Sequence, residues 1–106
     1  MFARRVSLNL KPNTKAEFAQ QLDKEIIPML RKQKGFQDEI TLLAADGRES
    51  VGISIWDQKE SAEAYERSTY AEVLKTMGKV IEGTPQVKTY EVSTSTIRKM
   101  TARGTA

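Results

Sequence analysis

The chain has 106 residues, enough for one domain with a two-layer core and too few for a Rossmann enzyme or a (β/α)₈ barrel. Hydrophobic residues make up 39% and charged residues 29%, a balance that argues against a disordered chain. Cysteine and histidine are both absent, which removes disulfides, thiolate metal ligation, the cysteine nucleophile, the commonest general base and the commonest haem ligand.

The formal charge of +3 comes from 17 Lys/Arg against 14 Asp/Glu, and Arg98, Lys99 and Arg103 account for the whole excess. Residues 1–97 are therefore neutral and read as a single domain, followed by a short basic tail at residues 98–106. A nucleic-acid binder places its basic stripe on the folded body, so no nucleic-acid partner is expected. No stretch approaches the roughly 18 apolar residues of a membrane span, and no secretory signal is evident, so no membrane association and a cytoplasmic setting are expected.

Phe2 to Leu10 alternates, with Val6, Leu8 and Leu10 on one side and Arg5, Ser7 and Asn9 on the other, the period of a strand. Thr14 and Glu17 have capping-box spacing, and Phe18, Ala19, Leu22, Ile26, Met29 and Leu30 follow at helical spacing. Pro28 predicts a kink, or a helix ending near residue 27, and Gly35 closes the element. A second strand spans Phe36 to Ala44, a turn follows at Ala45-Asp46-Gly47, and a third strand spans Arg48 to Trp56. Asp57 and Glu60 suggest another capping box, opening a helix over residues 58–68. After a break at Ser68-Thr69, the stripe Tyr70, Val73, Leu74, Met77, Val80 and Ile81 predicts a helix that ends at Gly83-Thr84-Pro85. A last strand spans Gln86 to Ile97.

The order β-α-β-β-α-β predicts an α+β, ferredoxin-like fold with a four-stranded antiparallel sheet. Helices cover only one sheet face. Val51, Ile53 and Ile55 point one way while Trp56 shares the other with Ser50, Gly52 and Ser54, and Phe36, Leu42 and Leu43 cannot all face the helices. Apolar residues therefore fall on both faces, which predicts a homodimer with two sheets packed together.

The run Ile55-Trp56-Asp57-Gln58-Lys59-Glu60-Ser61-Ala62, Gly35-Phe36, Tyr70-Ala71-Glu72-Val73-Leu74 and Gln86-Val87-Lys88-Thr89-Tyr90-Glu91-Val92 resemble the antibiotic biosynthesis monooxygenase domain over about residues 2–97. The resemblance implies ferredoxin-like subunits paired into a dimeric α+β barrel. It also implies a cofactor-independent monooxygenase of a small aromatic or quinol-like compound, or a non-catalytic small-molecule-binding or stress-related barrel of the same fold. The family's haem-degrading branch uses an Asn, a Trp and a His, which fall near Arg5, Tyr65 and Lys75 here, so no haem and no other cofactor is expected. Its polyketide-oxidising branch uses an Asn and a Trp in the third strand; Trp56 matches the Trp, while Gly52 stands in place of the Asn.

A concave, mostly apolar pocket between sheet and helices is the expected ligand site. The residues expected there are Trp56, Tyr65, Tyr70, Tyr90, Phe18, Met29 and Met77, with Arg5, Ser7 and Ser54 as polar contributors. Trp56 could stack on an aromatic ligand, and Tyr65 and Tyr70 could donate to a phenol or quinone oxygen. Each also has an ordinary explanation, as a strand-to-helix anchor, a core tyrosine or a helix-stripe residue. The carboxylate pairs Asp38-Glu39 and Glu63-Glu66 read as solvated surface, and no metal-ligand spacing appears.

Overall fold

Alternation over Phe2–Leu10 folds as strand β1, with Phe2, Val6, Leu8 and Leu10 against the helices. The computed structural model describes residues 1–96. After β1 come α1 (Lys15–Gln21), a π-helical stretch (Leu22–Ile26), α2 (Ile27–Arg31), β2 (Phe36–Leu43) and β3 (Glu49–Trp56). They are followed by α3 (Lys59–Ser68), α4 (Tyr70–Thr76) and β4 (Ile81–Glu91). The sheet order is β2-β3-β1-β4 and every pairing is antiparallel, so the expected ferredoxin-like plan is the one adopted.

Register sorts the two faces. Phe2, Trp56 and Phe36 form one inward row; Arg4, Ser54 and Glu39 form the next; Val6, Gly52 and Thr41 the third. The outward rows are Ala3, Ile55 and Asp38; Arg5, Ile53 and Ile40; and Ser7, Val51 and Leu42. A register shift between Phe36 and Asp38 puts both Phe36 and Glu39 on the inner face, although they lie an odd number of residues apart. The core gathers around fully buried Trp56, Phe18, Leu10 and Val80.

Several local expectations are corrected. Pro28 does not end the helix near residue 27: the Ile27 N–H bonds to the Leu22 carbonyl, a π-type step that carries the helix past proline, and Pro28 then sits in the first turn of α2. Neither capping box forms. The Thr14 hydroxyl donates to the Lys11 carbonyl at 2.7 Å, and the helix after β3 starts from Gln58 without a side-chain cap. The helix predicted to reach residue 81 stops at Thr76, and a turn leads into β4 at Ile81. Gly83-Thr84-Pro85 lie inside β4, where the pairing with β1 shifts between Ser7 and Asn9; an edge strand tolerates such a bulge and a proline. β4 closes at Glu91, short of the expected Ile97, which lies, with the basic tail, outside the described residues. Gly35 has φ of 85°, and a Cβ there would collide with Asp57 and Ser61, so glycine is required where α2 hands over to β2.

Candidate functional site

Small residues on the inner face of β3 decide where space remains. Ser50, Gly52 and Ser54 leave a gap beneath the helices, a partly open and mostly apolar cavity of about 60 Å³. Phe18, Leu22 and Ile26 wall one side, and Tyr65, Tyr70 and Met77 the other.

Arg4 brings charge into this apolar space. It is 2% exposed, its Nε donates to Glu66 Oε1 at 3.2 Å, and its guanidinium lies 4.0 Å from the Tyr70 ring centroid and 5.3 Å from that of Tyr65. Its Nη2 and the buried Tyr70 hydroxyl have no partner at ordinary hydrogen-bond distance among the described residues, although Arg4 lies near enough to the hydroxyl to make a loose contact that lowers the Tyr70 phenol pKa. A buried donor left without an acceptor costs about 1–3 kcal/mol, so packing alone gives no reason to retain them.

Glu39 enters from β2, partly buried, with the Thr41 hydroxyl donating to its Oε2 at 2.7 Å. Burial pushes its carboxyl up to about 7, and the Thr41 hydrogen bond opposes only part of that rise. A Cβ on Gly52 would sit 3.3 Å from Glu39 Oε2, so the glycine leaves the room that the carboxylate occupies. Burial also pushes the Tyr65 phenol up to about 12 and raises that of Tyr70, with the Arg4 charge pulling both back; both tyrosines are neutral donors near pH 7.

Of the residues expected at the site, the fold brings Phe18, Ser54, Tyr65, Tyr70 and Met77 together around the cavity. Trp56 is fully buried one layer behind it. Its ring lies 5.2 Å from Tyr65 and 5.6 Å from Phe36, and its Nε1 donates to Ser54 Oγ at 2.9 Å. Trp56 therefore fixes Tyr65 and Ser54 rather than touching a ligand directly. Met29 packs at the margin of the core and does not line the cavity. Arg5, Ser7 and Tyr90 lie on the opposite face of the sheet, with Tyr90 42% exposed beneath Lys88, because their parity is opposite to that of Arg4 and Val6. The surface reading of Glu39 is likewise corrected: it lines the cavity. Arg4, Glu39, Thr41 and Gly52 are among the members that the sequence reading missed. Arg4 was accessible by parity alone, since it alternates in phase with Val6, Leu8 and Leu10.

No protein-family model matches the chain, and no curated protein matches it. Solved structures do match. The ActVA-Orf6 monooxygenase of Streptomyces coelicolor, in complex with Nanaomycin D, superposes with a TM-score of 0.75 at 15% identity, covering 89% of this chain and 88% of that one. SnoaB, a cofactor-independent oxygenase of Streptomyces nogalater, gives a TM-score of 0.74 at 12% identity, over 90% of this chain and 95% of that one. A Nitrosomonas europaea protein provisionally named an antibiotic biosynthesis monooxygenase gives 0.73 at 16% identity, over 89% of this chain and all of that one. The chain therefore has the fold of the antibiotic biosynthesis monooxygenases along most of its length, and at these identities the likeness is one of fold. Among the described residues, no helix is long and apolar enough to cross a membrane, and no group of three or more acidic side chains is placed to hold a metal ion.

Proposed function

We propose that the chain is a cofactor-independent oxygenase of a small, electron-rich phenol or quinol held between the sheet and the helices, acting in the cytoplasm. The observation that carries the reading is Arg4: a guanidinium buried in an apolar cavity with one nitrogen unpartnered is a preorganised contact for a developing oxyanion. The fold shared with proteins named monooxygenases, one of them with a ligand bound, supports it. A deprotonated phenol carries the electron density that reduces oxygen. One oxygen atom enters the ring, the other leaves as water, and the phenol becomes a quinone, so the substrate supplies all four electrons. The protein orients the ring, excludes water and stabilises the anion.

Oxygen uptake with a panel of phenols, hydroquinones and anthrones tests this. The expected result is one oxygen molecule consumed per quinone formed, with Arg4→Leu lowering the rate at least about 100-fold. No uptake with any member overturns the oxygenase reading. A second reading, a non-catalytic small-molecule-binding barrel, is favoured by one observation: Trp56, which matches the oxidising branch of the resembled family, is engaged in packing rather than facing the cavity. Binding without oxygen consumption selects it.

We also propose that the outer sheet face packs on the same face of a second copy, giving a dimeric α+β barrel. Leu42 is 52% and Ile40 38% exposed there, in line with partly buried Val51, Ile53 and Ile55.

A further inference from the structure

Ser54 lies between two long polar residues in register, Arg4 on β1 and Glu39 on β2. Their Cα atoms are thus two strand spacings apart, about 10 Å, so both side chains can converge above Ser54. The unpartnered Arg4 Nη2 and the unpartnered Tyr70 hydroxyl border the same cavity as the Glu39 carboxyl.

We infer that Glu39 takes the proton from the hydroxyl of a one-ring phenol in this cavity, while Arg4 Nη2 and the Tyr70 hydroxyl hold the resulting phenolate oxygen. The inference rests on the aromatic-ligand reading of the cavity and adds its proton acceptor and the size of its ligand. The O–H bond breaks, the proton forms a new O–H bond on Glu39, and one negative charge moves from the carboxylate to the phenolate beside Arg4. No electron is transferred and the net charge of the cavity does not change. A base that titrates near neutrality suits the step. The other ionisable groups facing Glu39 are Tyr65 from α3 and Tyr70 from α4, and toward its outer side Asp23, Arg31 and Asp38 from the π-helical stretch, α2 and β2. Glu66 binds the far side of Arg4.

Size follows from volume. The cavity of about 60 Å³ is smaller than the roughly 150 Å³ cavity known to admit benzene. Even one ring must therefore displace wall residues, and flexible Met77 and the π-helical segment carrying Leu22 and Ile26 are the parts able to yield. A fused polycycle asks for far more.

meta-Nitrophenol is the probe, because its ultraviolet–visible spectrum separates phenol from phenolate and no oxidation is needed to read it. Under nitrogen at about pH 7.5, above the ordinary carboxylate range and below the titration of the free probe, wild-type protein is expected to bind it as phenolate. Glu39→Gln is expected to bind the phenolate within about fivefold of wild type but to release one proton per bound probe to the buffer, a release that wild type lacks because Glu39 keeps the proton. Thr41→Val removes the hydrogen bond that favours the Glu39 carboxylate, making it a stronger base, and is expected to move the midpoint of phenolate formation to lower pH. Tyr70→Phe is expected to weaken binding about tenfold. Binding of the neutral phenol by wild type, no binding at millimolar probe, or proton release to the buffer by wild type equal to that of Glu39→Gln overturns the inference. If Glu39→Gln does not fold, an unmoved midpoint in Thr41→Val overturns it. A phenolate band without oxygen uptake sinks only the oxygenase reading; oxygen uptake without the band sinks only this one.

Discussion

Strands β1 and β3 divide apolar from polar in opposite senses: β1 turns Val6, Leu8 and Leu10 toward the helices and Arg5 and Ser7 away. β3 turns Ser50, Gly52 and Ser54 inward and Val51, Ile53 and Ile55 outward. The inner face is small enough to leave a cavity, into which Arg4 and Glu39 reach from the neighbouring strands. The outer face is β-branched and partly exposed, and its register row with Ile40 and Leu42 makes a continuous apolar surface. The difference teaches that hydrophobicity alone does not mark the core side of this sheet. The helices supply the apolar mass of the inner layer through Phe18, Ile26, Leu30 and Val73, so β3 is free to be small and polar there.

The largest expected effect tests what holds the inner face in shape. Trp56 fills the end of that face against Phe36 and Tyr65. Trp56→Ala is expected to destabilise the fold by about 3–5 kcal/mol in chemical denaturation, because the surroundings cannot collapse into the space left. A cost under about 1 kcal/mol would show that the inner face is not organised around this ring.

On the outer face the matching change is Ile53→Lys, in the central row between Arg5 and Ile40. It is expected to weaken association of two copies by about 2–4 kcal/mol while circular dichroism stays that of the wild type. Light scattering at micromolar protein checks it: wild type at twice the chain mass and the variant at the chain mass. A wild-type protein at the chain mass would leave the outer face without the proposed cover.

How far the sequence revealed these faces can be argued residue by residue. Period-two alternation located β1 and β3, and the order of elements gave the sheet topology. The capping boxes at Thr14 and Asp57 had the right spacing, but spacing does not choose among nearby acceptors, and the Thr14 hydroxyl found the Lys11 carbonyl instead. Arg5 is expected at the site and Arg4 stands there instead, because strand parity, not charge, decides which of two adjacent arginines faces inward. Glu39 was less legible. The shift near Gln37 puts Phe36 and Glu39 on one face against simple alternation, and the Asp38-Glu39 pair reads as surface when the bulge is unseen. Tyr90 appeared equivalent to Tyr65 and Tyr70 because composition carries no information about sheet face. Its pairing with Ala3 decides the matter.

A third, smaller effect separates the inner face from the outer by pH. Glu39 is raised from an ordinary 4.5 to about 7 by burial, so the folded protein holds a proton that the unfolded chain releases. Stability from this group is complete below about pH 4.5 and falls as pH rises through about 7, by an amount of order 2–3 kcal/mol. Glu39→Gln is expected to flatten that decline in denaturation curves between about pH 4.5 and pH 8, whereas Ile53→Lys leaves its slope intact. An unchanged slope in Glu39→Gln would place the carboxyl in water rather than in the cavity.

The smallest expected stability change is the most discriminating for the inner face. The Tyr70 hydroxyl is buried with no partner at ordinary hydrogen-bond distance, so Tyr70→Phe removes a desolvated group and loses only a loose contact with Arg4 in the unliganded protein. The fold is expected to stay within about 1 kcal/mol of wild type, on the stabilised side, as judged by the denaturant midpoint at unchanged slope. Arg4 keeps its Glu66 ion pair and its place over the ring in this variant, so the cavity retains its charge. A gain in stability would mean that the hydroxyl burdens the empty fold, as expected of a group retained for a ligand. A loss beyond about 1 kcal/mol would mean that it already has a structural partner.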